Sequence, residues 1–186
     1  MTDTNSQLET ILPWEGTLPD LLDEAIRTNP NKIFLELDGN NITYNDFGDS
    51  TRKAAEMFLE LGISYGDRVC MFLDNCPEFL YAWFGLSRIG AIGVPINTAY
   101  KETEFTFIAN NCAAKLVIYS ERLKEVVEQS IHNVASVHHY LEVPQSPNSS
   151  NSQVFLPQTR SLNGTQFTSS VTPDSISTLV YTSGTT

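Results

Sequence analysis

Arg68-Val69-Cys70-Met71-Phe72-Leu73 is apolar at every position after the arginine. A run of that kind fits a strand buried on both faces, as in a parallel sheet covered by helices. The segments on either side agree. Upstream, Thr43-Tyr44-Asn45-Asp46 has the S/T-x-x-D/E form of a capping box. Behind it Ala54, Met57, Phe58 and Leu61 recur at helical spacing, and Gly62 closes the helix. Downstream, Pro77 opens a helix in its first turn. Residues 79–89 are apolar on most sides, and residues 91–96 form a second buried strand ending at Pro95.

The alternation continues. Residues 101–110 predict a helix with Phe105 and Ile108 inward, 115–119 a third strand, 121–131 a third crossover helix and 137–143 a fourth strand. Toward the N-terminus, residues 18–27 predict a short amphipathic helix. The hairpin signal Asp38-Gly39-Asn40 lies between strands at 32–37 and 41–43. Strands alternating with helices over short connections give a doubly wound α/β fold, with a mainly parallel sheet and flanking helices. Ligands of such sheets bind beyond the C-terminal ends of the strands.

Composition narrows the function. Net charge is −11, and residues 1–100 hold 15 of the 22 acidic and 6 of the 11 basic side chains. An acidic surface repels polyphosphate backbones, which argues against nucleic-acid partners. The three cysteines, Cys70, Cys76 and Cys112, have no metal-ligand spacing and fit a reducing compartment. Residues 1–16 read as a lead-in without the basic and apolar regions of a secretion signal. The longest apolar stretch, Phe79 to Ile96, is broken by Arg88, three glycines and Pro95, so no transmembrane segment is expected and the location is cytoplasmic.

The strongest site candidate is the last stretch, Leu179-Val180-Tyr181-Thr182-Ser183-Gly184-Thr185-Thr186. A strand at 179–181 would deliver Thr182, Ser183, Gly184, Thr185 and Thr186 as a hydroxyl-rich loop. Backbone N–H groups and short hydroxyls can converge there on phosphate, and Gly184 permits close approach. Taken alone, the string also fits an ordinary polar turn, and it lacks the Gly-Lys-Ser/Thr of a Walker loop. Residues 144–173, rich in Ser, Asn, Gln and Pro, read as a polar surface excursion. Asp74 or Asn75 is expected to cap the helix that follows. His138 and His139 alternate faces on a strand and cannot chelate one metal together. No metal ligand and no Ser/His/Asp triad is assigned.

Five segments then act together. They are 43–47 (TYNDF), 61–69 (LGISYGDRV), 75–79 (NCPEF), 89–97 (IGAIGVPIN) and 181–186 (YTSGTT). In this order and spacing they resemble the N-terminal part of the adenylate-forming (AMP-binding) superfamily, from about Thr17 to Thr186 with residues 144–173 left out. The resemblance implies a two-step ligase. ATP and a carboxylic acid give an acyl-adenylate and pyrophosphate, and a thiol, usually coenzyme A, then takes the acyl group. It implies that Thr182 to Thr186 begin the loop around the β- and γ-phosphates, with Mg²⁺ bridging them. Residues 94–100 (VPINTAY) look like the fatty-acid and crotonobetaine/carnitine branch. The family's loop lysine, its other nucleotide motifs and its C-terminal domain fall beyond Thr186. The sequence therefore reads as a fragment, itself inactive, with no catalytic residue to assign. An amino-acid adenylation domain serving a carrier-protein thiol, or a non-catalytic α/β nucleotide-binding or interaction domain, remain the alternatives. Oligomeric state is not legible.

Overall fold

The structure, a computed structural model, describes residues 16–37, 39–144 and 171–182. Helix α1 (Leu18–Thr28) opens on a reciprocal cap. The Thr17 hydroxyl accepts the Asp20 N–H at 3.3 Å, and the Asp20 carboxylate accepts the Thr17 N–H at 2.8 Å. Strands β1 (Ile33–Leu37) and β2 (Asn40–Thr43) form a separate antiparallel hairpin. Helix α2 (Tyr44–Glu60) follows, and Gly62, at φ +75°, supplies the left-handed turn after it. The capping box expected at Thr43 is only half made: its hydroxyl accepts the Asp46 N–H at 3.2 Å and donates to the Asp46 carboxylate at 2.6 Å. That carboxylate is turned to the hydroxyl rather than to the Thr43 N–H.

The main sheet is built from β3 (Arg68–Phe72), β4 (Ile92–Pro95), β5 (Leu116–Ser120) and β6 (His139–Val143), all parallel, in the order β4-β3-β5-β6. Helices α3 (Pro77–Ile89), α4 (Glu102–Asn111) and α5 (Lys124–Ser130) make the crossovers. The third crossover helix is shorter than expected, with single 3₁₀ turns at Glu121–Leu123 and Ile131–Asn133 on either side of α5. Its end coincides with the Ser130 hydroxyl donating to the Val126 carbonyl at 2.8 Å, a side-chain bond that competes with the helical ladder.

Alternation along the strands divides the core in two. Val69, Met71, Leu116 and Ile118 face α2 and α3, packing with Ala54, Phe58, Ala82 and Leu86. Cys70, Phe72, Val117 and Tyr119 face the other way, against Phe105 and Ile108 of α4 and Val127 of α5. Helices thus cover both faces, and the fold is doubly wound α/β. Buried Arg88 of α3 ties this helix to both α2 and α1. It donates to the Thr51 hydroxyl of α2 at 3.2 Å and to both Asp23 carboxylate oxygens of α1, at 2.6 and 3.1 Å.

Asp67 sits just ahead of β3 and is only 7% exposed. It accepts from the Ser64 N–H and hydroxyl, both at 2.9 Å, and pairs with Lys115 at 2.8 Å. Burial alone would raise its pKa, but Lys115 and the Ser64 donors outweigh that and hold the carboxyl below its ordinary value. A depressed carboxyl stabilises the fold above the unfolded pKa, and that stability is lost as pH falls through the folded one. Asp67→Asn is therefore expected to lower the urea midpoint near pH 7 but to change it far less at about pH 3. Equal losses at both would contradict the charge argument.

The strand expected at 179–181 does not form. Only Thr178 bridges to β4: Gly93 donates its N–H to the Ser177 carbonyl and accepts from the Leu179 N–H, both at 3.0 Å. The reason lies in β4. Ile92 and Ile96 turn their N–H groups toward β3, so the next edge-facing donor after Gly93 belongs to Pro95, which has no N–H. The ladder stops after one rung, leaving Leu179 38% and Val180 62% exposed.

Candidate functional site

The phosphate-loop candidate leaves the fold at the C-terminal end of β4, where a doubly wound sheet holds ligands. Three contacts fix its root. The Trp83 Nε1–H of α3 donates to the Thr178 hydroxyl at 2.8 Å. The Gly93 pair described above aligns the backbone. The Tyr181 hydroxyl donates to the Asn111 side-chain oxygen at the end of α4, at 2.5 Å, while its ring packs against the core face under α4. Of the expected site residues, Thr182 is placed directly after this anchored tyrosine. Ser183, Gly184, Thr185 and Thr186 lie outside the described residues.

Thr182 and Tyr181 line a cavity of about 330 Å³ with Tyr100, Thr103, Phe107 and Ile108. Its one charged member, Glu104, accepts the Lys101 N–H at 3.1 Å and so secures the first turn of α4. The walls offer hydroxyls beside apolar surface. Phe107 is 61% exposed at the rim.

A second feature crosses the point where the strand order reverses, between β3 and β5. Arg122 pairs with both carboxylate oxygens of Asp74, and the Ser120 hydroxyl accepts the Asp74 N–H at 2.9 Å. Arg122 draws the Asp74 carboxyl below its ordinary range despite some burial. The cap expected from Asp74 or Asn75 is not made: the N-cap position of α3 falls on Cys76, which makes no side-chain cap bond, and Asp74, two residues upstream, pairs with Arg122. Nothing in sequence linked two residues this far apart. His138 is exposed and His139 half-buried at the start of β6. Among the described residues, no three His, Cys, Asp or Glu side chains converge as metal ligands, and no helix is long and apolar enough to cross a membrane.

Residues 22–186 match the family described as AMP-binding enzyme. The chain belongs to that family. Over 91 residues this AMP-binding chain is 38% identical to a crotonobetaine/carnitine–CoA ligase of Proteus mirabilis, covering 49% of the chain and 18% of that protein. A crotonobetaine/carnitine–CoA ligase of Escherichia coli O1:K1 is 41% identical over 90 residues, 48% of the chain and 17% of that protein. The chain thus spans less than a fifth of these relatives' length. Among solved structures, the N-terminal domain of FACL13 from Mycobacterium tuberculosis superimposes with a TM-score of 0.78 at 22% identity, over 90% of the chain and 42% of that domain's chain. At that identity the likeness speaks for the fold. The parallel sheet of the AMP-binding chain, with helices on both faces, is the architecture it shares.

Proposed function

We propose that the chain is the N-terminal part of an ATP-dependent carboxylic acid–CoA ligase. The whole protein would form an acyl-adenylate and pyrophosphate, then pass the acyl group to coenzyme A. The observation that carries this reading is the family match over residues 22–186, together with CoA ligases as its relatives at 38 and 41% identity. The anchored root at Thr178 to Tyr181 supports a loop role for Thr182, Ser183, Gly184, Thr185 and Thr186. Their hydroxyl and amide donors would hold the β- and γ-phosphates and stabilise charge as pyrophosphate departs. Mg²⁺ accompanies ATP in this proposal, and no side chain among the described residues is assigned to it. Within the fatty-acid and crotonobetaine/carnitine branch, the relatives favour a carnitine-like carboxylate. The free thiols of Cys70, Cys76 and Cys112 favour a cytoplasmic setting.

The test uses the protein encoded by the complete reading frame that contains this chain. With ATP, coenzyme A and a panel of carboxylates including crotonobetaine, it is expected to release AMP and form a CoA thioester. Transfer only to a carrier-protein thiol would replace this reading with the amino-acid adenylation alternative, and adenylation of no acid would leave the non-catalytic one. The 186-residue chain by itself is expected to release no pyrophosphate above background.

A further inference from the structure

Beyond the nucleotide loop, two of the three cysteines meet beneath its root. Cys70 in β3 is fully buried, and Cys112, which caps the C-terminal end of α4, is 6% exposed. Their sulfurs lie 3.9 Å apart and share a hydrogen bond. Arg68 crosses the same spot, its Nε–H donating to the Cys112 carbonyl at 2.5 Å and an Nη–H to the Ala113 carbonyl at 3.1 Å. The hydrogen bond from Cys70 and the Arg68 charge hold the Cys112 thiol below its usual range. The same bond and burial push Cys70 well above it. Cys112, which keeps some exposed surface and has Arg68 against its carbonyl, is the sulfur an oxidant meets first, and fully buried Cys70 lies behind it.

Cys112 follows Asn111 directly, and Asn111 accepts the hydroxyl of Tyr181. Tyr181 in turn precedes the phosphate loop and packs against the core cluster that contains both cysteines. We propose that Cys70 and Cys112 are a reversible, peroxide-closed disulfide pair whose formation displaces Asn111 and, through Tyr181, the root of the loop.

The chemistry balances with hydrogen peroxide as the oxidant. The Cys112 thiolate attacks one peroxide oxygen, the O–O bond breaks, and hydroxide leaves as Cys112 becomes a sulfenic acid. The Cys70 sulfur then attacks the Cys112 sulfur, the S–O bond breaks, and the departing hydroxyl takes the Cys70 proton as water. Two thiol sulfurs are oxidised and the peroxide is reduced. A disulfide needs its sulfurs about 2.05 Å apart, so the pair must close by roughly 2 Å. β3 lies inside the sheet, between β4 and β5, whereas Cys112 lies at a helix end. The movement falls on the end of α4, where Tyr181 is tied. Cys76 is a bystander, its thiol pushed up to about 12, chiefly by burial.

The test reads thiols, not activity, and so stands apart from the ligase proposal. In the Cys76→Ala chain, peroxide followed by alkylation in denaturant should show both thiols lost in a monomer, with no added oxygen, and both regained with dithiothreitol. Cys70→Ala in that background should stop at a Cys112 sulfenic acid that dimedone traps. Hydrogen exchange at residues 179–182 should change on oxidation and revert on reduction. Persistent free thiols, an intermolecular dimer or an over-oxidised Cys112 in the two-cysteine chain would each overturn the pair. A disulfide that leaves exchange at 179–182 unaltered would overturn its coupling to the loop.

Discussion

Phe47→Ala is expected to remove about 3–5 kcal/mol of stability, a large fraction of what a domain of this size possesses. Phe47 has no exposed surface. Its ring lies 4.4 Å from that of Phe34, 5.1 Å edge-on from Phe84 and 5.6 Å from Tyr81. Phe34 belongs to β1, Phe47 to α2, and Tyr81 and Phe84 to α3, so one side chain joins the hairpin to two helices. Truncation leaves a cavity between rings held on β1 and on α3, two elements that cannot collapse into it together, which places the cost high in its range. Each ring pair adds about 0.5–1.5 kcal/mol beyond area, though not additively. Phe47→Leu keeps most of the volume and is expected to lose about half as much or less. Urea midpoints measure both. Hydrogen exchange should also show the β1–β2 hairpin opening before the main sheet in Phe47→Ala, since the hairpin shares no strand with it. A midpoint loss equivalent to less than about 1 kcal/mol would mean that the cluster is not a structural joint.

Why most of the fold could be read from sequence, and part of it could not, follows from the range of the forces involved. β3 and β5 are apolar because both their faces are covered, and Gly62 and Pro77 mark helix ends through their own backbone geometry. Those signals are local. The lost strand at 179–181 was also decided by a residue type, but one on the partner strand: Pro95 lacks the donor that a second rung needs. Asp74 has the local form of a helix cap, yet the helix starts two residues later and its carboxylate goes to a charged partner just past the C-terminal end of β5. Thr17 and Thr43 both start helices with the same hydroxyl–aspartate pair, and only the Asp20 carboxylate also takes its cap residue's N–H. At the site, the Thr-Ser-Gly-Thr-Thr string was legible, whereas its anchors were not. Trp83 and Asn111 lie on helices and carry no sequence mark of their distant bonds to Thr178 and Tyr181.

Gly85 sets the distance between α2 and α3, and through α3 the position of the loop root. A Cβ there would stand 2.8 Å from the Ala54 Cβ, 3.0 Å from the Ala55 backbone nitrogen and 3.2 Å from the Thr51 carbonyl oxygen. Two effects oppose each other in Gly85→Ala. Removing a mid-helix glycine gains about 1 kcal/mol. Overpacking costs about 1–3 kcal/mol, and here toward the upper end, because two of the three obstructing atoms are backbone and cannot rotate aside. The clash wins, and Gly85→Ala should lose about 1–2 kcal/mol. Gly85→Leu should lose more than about 3 kcal/mol, since it adds a branched chain to a Cβ that already stands against the α2 backbone. Displacing α3 also moves Trp83, so the bond to Thr178 and the alignment of the Gly93 rung should weaken before the fold fails. Faster hydrogen exchange at Leu179 in Gly85→Ala would register that. Ala54→Gly removes the nearest obstructing atom, and the double variant should recover part of the Gly85→Ala loss, a coupling that a mutant cycle measures directly. A neutral or stabilising Gly85→Ala would show instead that α2 yields freely at this crossing, and the loop root would then lack the rigid backing that α3 provides.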